Sequence, residues 1–404
     1  MLVQLSWRNI WQNARRSAIV LSSIVVGVIA VMFSNSFSLG LAHQMLQSQI
    51  RLHTTDLQIL HPRYAENPSL EHSIAQPEQV LARIDTLSAV AAAGIRLEQF
   101  GLINSALNSS GITIVGVQPQ RERRLTIIAQ SIRSGRYLSG NPYEIVISEE
   151  TARKLEIGVG DKVVLMAADR AGEIRSEVAA VVGIFRTFNS DFDQMYCFVA
   201  LPFLRAMVRA DSLATAIAVR IHSAEAVEEV QQQITPLLPP PLVVLSYRQL
   251  LPLLSYMIEM YAQLMWIFYL IVGAAMIFGI INTMLMAIME RITEFGVLLS
   301  IGIPPAKLVV LILLEAAWLG ILGAFGGVLA GSALIAALQS TGINLAFFSE
   351  GLRSLGVAAI VYPVLVPQQI LNALIFVPLI TTAGALYPAW KVYRLQPVEA
   401  LRFV

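Results

Sequence analysis

The chain has 404 residues, with 28 Lys+Arg against 27 Asp+Glu, a net charge of +1, 14% charged residues and 56% hydrophobic ones. An ordinary soluble domain is about 25% charged, so this composition excludes a disordered chain and argues against a wholly soluble one. The balanced charge excludes a nucleic-acid binder, and the single cysteine, Cys197, excludes a disulfide framework and zinc sites built on cysteine pairs.

Taken in chain order, the informative feature is where charge is missing. A spanning helix needs about 20 mostly apolar residues. Four stretches meet that length: Ser17–Leu41, Tyr261–Met289, Leu308–Leu338 and Ile370–Val392. Residues 1–16 read as an amphipathic segment ahead of the first span, which is expected to be an uncleaved anchor, longer than a signal-peptide core. Arg8, Arg15 and Arg16 precede span one, Arg291 and Lys307 lie between spans two and three, and Lys391, Arg394 and Arg402 follow span four. Positive charge marks the cytoplasmic side. The expectation is therefore a membrane α-helical protein with four spans, both termini (the tail being 393–404) and the 290–307 loop inside, and 42–258 and 339–369 outside.

The insert between spans one and two reads as α+β. Thr55–Leu60, Gly94–Ala106, Ile112–Val117, Ala214–Ile221 and Leu242–Leu245 read as strands, with a turn at Asn108-Ser109-Ser110-Gly111. Glu78–Ala92 and Ala224–Ile234 read as helices. Within it, Glu144–Ile147, Lys162–Ala167 and Glu177–Phe185 read as strands, and Glu149–Leu155 and Pro202–Val208 as short helices. This predicts two subdomains, one split between 43–119 and 212–258, the other a β-rich insertion at 120–211. Catalytic and metal sites are not expected: His43, His53, His61, His72 and His222 lack ligand spacing. Gly158-Val159-Gly160-Asp161-Lys162 lacks the spacing and the hydroxyl of a phosphate loop, and reads as a turn. Residues 354–369 read as an apolar loop at the membrane surface, with Pro363 and Pro367 interrupting any span.

Between spans two and three, Ile292, Phe295, Leu298 and Leu299 recur at helical spacing, with Glu290, Arg291 and Glu294 elsewhere on the turn. The bland reading is an interfacial helix. Asn282-Thr283-Met284 through Met289-Glu290-Arg291, then Glu294-Phe295-Gly296 and Ile301-Gly302, resembles the coupling-helix region of FtsX-like (MacB/Lol-type) ABC transporter permeases. Trp7-Arg8-Asn9 with Asn13, Arg15-Arg16-Ser17, then Leu314-Glu315-Ala316, then Leu386-Tyr387-Pro388-Ala389 with Pro397-Val398-Glu399-Ala400-Leu401-Arg402, is similar to other segments of the same family. The resemblance implies a non-catalytic, type VII permease subunit that dimerises, with itself or with a paralogous permease. It holds no cofactor, binds separate cytoplasmic ATPase subunits that carry ATP and magnesium, and works its outside domain by mechanotransmission. The segment from Val182-Gly183-Ile184-Phe185-Arg186 through Asp193 to Phe198-Val199-Ala200-Leu201-Pro202 looks most like the lipoprotein-releasing members of the inner membrane, whose cargo passes to a periplasmic acceptor. Export of another periplasmic or lipid-like substrate with an adaptor stays open, as does an anchored binding or signalling protein with no ATPase.

Site expectations follow. Glu290, Arg291, Glu294, Phe295, Gly296 and Gly302 are candidates for ATPase coupling, with Phe295 the anchor in the partner's groove. Phe33, Phe37, Leu41, Met257, Tyr261, Met265 and Phe268 are candidates for holding acyl chains. Gly323, Gly327 and Gly331 form a small-residue ridge that packs a helix of this chain or of a dimer partner. Glu315 and Asn282 are the candidate functional polar groups within spans. Glu315 lies about 12 Å along the helix from Lys307, and is expected to act structurally, near Arg291 or Lys307.

Overall fold

The computed structural model describes residues 2–12, 14–223, 226–354 and 356–394. The carboxy-terminal motif 397–402, Asn13 and the expected helix start at Ala224 lie outside the described residues. Two compact units emerge, one of residues 1–42, 258–344 and 360–404, the other of 43–257 and 345–359.

Among the described residues, four helices are long and apolar enough to cross a membrane. Ala14–Gln49 contains the first expected span, Pro252–Glu290 the second, Pro305–Thr341 the third and Pro367–Tyr393 the fourth. The third starts with proline at its first position, where the missing N–H costs nothing. Its glycines set the packing. A Cβ at Gly323 would sit 2.5 Å from Ile24, one at Gly327 2.6 Å from Val28 and one at Gly331 3.2 Å from Met32 Sδ. The ridge left open between one chain and two packs here on the first span of the same chain. One turn earlier, a Cβ at Gly320 would run into Pro378 and Thr381 of the fourth span. Ile24, Val28, Met32, Met276, Ile280, Ala316, Leu319 and Ala385 form the buried seam.

The second unit is a twisted sheet closed on itself. Its strands, with the short pairs of the rest of the chain, are β1 Leu57–Leu60, β2 Ile74–Ala75, β3 Val90–Asn104, β4 Ser109–Val117, β5 Ile132–Gly135, β6 Glu144–Ser148, β7 Lys162–Ala168, β8 Ile174–Phe185, β9 Tyr196–Ala200, β10 Leu213–Ala214, β11 Ala216–Ile221, β12 Val243–Ser246, β13 Ile343–Asn344 and β14 Ile360–Val361. The pairings β3–β4, β4–β9, β9–β6, β6–β8, β8–β7 and β7–β3 close a six-stranded ring. Because side chains alternate across a strand, Ile103, Ile114, Ile145, Val163, Leu165, Val181 and Cys197 fill one core. Val115, Val117, Val146, Phe185 and Phe198 fall in a second. β11, β1 and β12 extend the sheet from β3.

This ring runs across the boundary of the expected insertion. β3 and β4, outside the expected insertion, pair directly with β7 and β9 inside it, and one buried core runs through both. The helix expected over 78–92 ends at Ile84, because the apolar run from Val90 pairs with β11 as strand. The hairpin turn precedes Ser109: Ser105 N donates to Asn108 O at 2.9 Å, and Ser109–Gly111 already belong to β4. The 158–162 turn is held by Asp161, whose Oδ2 accepts from Gly158 N at 2.8 Å. The expected surface loop 354–369 is also revised. Residues 345–359 belong to the sheet unit, with Val357 fully buried, and Pro367 already opens the fourth long helix.

After Gln49 the first long helix ends in one turn of π-helix, Ile50–Thr54. Arg96, buried with Glu122 in a paired ion bridge of 2.7 and 3.2 Å, donates to the carbonyl of His53 in that turn. His53 Nε2 also meets Glu98 at 3.0 Å.

Candidate coupling site and membrane groove

The link between the second and third long helices is itself helical, Ile292–Ser300, and its two faces differ. The inward face buries Ile292, Phe295 and Gly296. Phe295 is 2% exposed, packed with Ile288, Leu308, Ile312, Ala389 and Val392. This corrects the expectation that Phe295 is a free anchor: the apolar stripe is satisfied inside the chain. The outward face shows Glu294, with Val297 48% and Ile301 70% exposed.

The helix ends in a Schellman cap. Gly302, at φ +89°, donates to Leu299 O and Ile303 donates to Leu298 O, both at 3.1 Å. Gly302 is required by its left-handed backbone, and Leu298 and Ile303 pack on the same cluster. At the other end Arg291 reaches three ways. Its Nε donates to Glu294 at 3.0 Å, its Nη1 lies 3.5 Å from Glu315 Oε1, and its guanidinium sits 5.4 Å from the Phe295 ring centroid. Glu315 Oε1 also accepts from Asn9 Nδ2 at 2.6 Å. Asn9 sits on the amphipathic helix Leu2–Gln12, whose Trp7 ring meets Trp318 at 5.2 Å. One carboxylate therefore ties the connecting helix, the third span and the amino-terminal helix together. Glu290 and Asn282 are exposed on the second span.

A largely apolar groove of about 470 Å³ opens between the first, second and fourth spans. Gly27, Val31, Trp266, Leu270, Gly273 and Phe376 line its body, and Asn35, Gln369 and Asn372 its amide-bearing part. Ser36 Oγ donates to Gln369 Oε1 at 2.9 Å. The expected acyl stripe lies elsewhere. Phe33 and Phe37 stack on each other at 6.1 Å, Leu41 is half-buried, Tyr261 is exposed, Met265 and Phe268 are half-buried, and Met257 falls in the other unit.

The chain matches the MacB-like periplasmic core domain over residues 17–237 and the FtsX-like permease C-terminal model over 266–397. It belongs to the FtsX-like permeases with a MacB-like periplasmic core. Similar proteins include the lipoprotein-releasing system transmembrane protein LolC of Xylella fastidiosa, 23% identical over 71% of this chain and 72% of that one. The ABC transporter permease MJ1507 of Methanocaldococcus jannaschii is 23% identical over 99% of this chain and 97% of its own. Among solved structures, the periplasmic region of MacB from Actinobacillus actinomycetemcomitans is matched at 11% identity and a TM-score of 0.40, over 52% of this chain and 97% of that one.

Within this permease, sequence reasoning missed Val297, Ile301 and the groove residues. A signal for the groove existed. Gly27 and Gly273 remove side-chain volume from two apolar helices, and Trp266, Leu270 and Gly273 repeat at helical spacing.

Proposed function

We propose that this ABC transporter permease passes ATP-driven motion from a separate cytoplasmic ATPase to its sheet unit, and that the work done is extraction of lipoproteins from the inner membrane. The observation that carries this reading is the two-faced helix Ile292–Ser300. Its exposed Glu294, Val297 and Ile301 suit a groove on a soluble partner. Its inner face is fixed by Phe295 and by Arg291 on Glu315, so a push on the outer face moves the third span and the amino-terminal helix with it. ATP and magnesium belong to the ATPase. The orientation follows the basic residues: connecting helix and termini inside, sheet unit outside. The permease pairs with a second copy or a paralogue, and the cargo passes to a periplasmic acceptor.

The LolC relatives support lipoprotein as the cargo, and the groove suits an acyl chain, with an apolar body and amides beside it. A second reading, export of another lipid-like or periplasmic substrate with an adaptor, is favoured by the full-length similarity to permeases named only as ABC transporters.

Purification of the tagged chain in mild detergent, with mass spectrometry and ATP hydrolysis, tests both. An ATPase subunit in near-equal amount is expected, and Val297→Glu/Ile301→Glu should lose it while unfolding at the parent temperature. Undiminished co-purification by that variant sinks the coupling face. Acylated lipoproteins in the parent sample select the first reading, a periplasmic adaptor the second.

A further inference from the structure

Segment 345–359 has two faces with opposite characters. One is locked into the sheet unit. Leu352 and Val357 are buried, and a Cβ on Gly356 would sit 2.8 Å from Asn189 and 2.9 Å from Ser48. Arg353 pairs with Asp193 at 3.4 Å and Glu150 at 3.9 Å. Leu345 N donates to Ala359 O at 2.7 Å and closes the neck of the loop. The other face shows two adjacent rings. Phe347 is 93% and Phe348 63% exposed, edge-to-face at 5.2 Å.

These two neighbouring phenylalanines on a fixed loop leave most of their ring surface uncovered within their unit. Their place in the chain says what covers them. Phe347 comes six residues after Thr341, the end of an apolar helix long enough to span a membrane, and the chain enters another such helix at Pro367. Where a protein lies on a membrane, exposed Trp, Phe and Leu side chains bury into the boundary between headgroups and acyl chains. We propose that Phe347 and Phe348 seat the sheet unit on the lipid surface, entering the leaflet on that unit's side. The seat is built on the sheet unit through Arg353 and Val357, so it fixes that unit's height above the bilayer. The proposal rests on the third long helix crossing the membrane.

The test uses the full chain in vesicles of phosphatidylethanolamine and phosphatidylglycerol, nitroxide-labelled at one cysteine. Cys197 has no exposed surface and burial pushes its thiol pKa up, so it leaves the background clear. Labels go at Phe347→Cys, at Glu350→Cys on the same loop and at Leu329→Cys, an exposed position of the third long helix. Phe347 is so exposed that its replacement removes little packing. The expected result is a ratio of oxygen to nickel-chelate collisions several-fold higher at 347 than at 350, and high at 329. A water-like ratio at 347 with a lipid-like one at 329 overturns the seat alone. A water-like ratio at both overturns the span reading beneath it. Low access to both reagents at 347, with dipolar broadening, assigns the rings to a second copy and also overturns the seat.

Discussion

Arg353 Nη2 lies 3.4 Å from Oδ2 of Asp193, a carboxylate with no exposed surface. The two residues are 160 apart in sequence, so this pair brings the loop after the third long helix onto the sheet unit. Burial pushes the Asp193 carboxyl pKa above its ordinary range, while the Thr187 hydroxyl and N–H donate to it and pull the other way. Arg353→Ala should therefore cost only about 1 kcal/mol, because Thr187 still satisfies the acid. Hydrogen exchange should quicken between Leu352 and Val357 and stay unchanged in β6 and β9. Unchanged protection of the loop would show that Gly356 and Val357 hold it without the ion pair.

Phe295 and Ile301 lie six residues apart with opposite fates. Phe295→Ala should open a cavity in the cluster with Ile288 and Leu308 and cost about 3–5 kcal/mol. Ile301→Ala, on an exposed position, should change stability by less than about 0.5 kcal/mol. Thermal unfolding in nanodiscs separates them; equal melting temperatures would remove the inward assignment of Phe295.

The glycine ridge predicts a suppressor. Gly323→Ala places a methyl 2.5 Å from Ile24 Cγ2 and should cost about 1–3 kcal/mol by overpacking. Ile24→Ala on the same background should recover part of the loss, a coupling that a double-mutant cycle reads directly. Additive losses would mean that the two helices do not meet at this pair.

Acid should loosen the ring through Glu144. Its carboxylate accepts from Arg136 at 2.6 Å and from Ser139 N at 2.8 Å, which holds its pKa down from 4.5 to about 2 against burial. The folded pKa lies below the unfolded one, so the unfolded chain takes up the proton first. The stabilisation is complete above 4.5 and drains away as pH falls toward about 2. Melting temperature should fall through that window in the parent and less steeply in Glu144→Gln. Parallel curves would clear Glu144 of the effect.

The long helices were legible because charge is too costly in hydrocarbon to be scattered there, so gaps such as 17–50 stand out. The Ile292–Ser300 helix was legible as a period but not as a contact. A stripe containing Phe295 says that one side is apolar, not whether its cover is the same chain or another. The Arg291–Glu315 link could be guessed because both lie near one end of their spans; Asn9 as third member could not, since nothing local joins it to Glu315. The Val90–Ala93 run reads equally as helix or strand until β11 lies beside it. Ring closure depends on β7 meeting β3 some 60 positions away, beyond any local pattern.

That closure sets the grain at which the protein can be rebuilt. Residues 120–211 look detachable as text, yet they supply four of the six staves, and β3 and β4, both before residue 120, supply the other two. A chimera that grafts only this stretch from a relative would join mismatched staves at β3–β7 and β4–β9. Exchange of cargo preference between relatives should succeed only with cassettes cut outside β1 and β12, in which the whole ring travels as one piece.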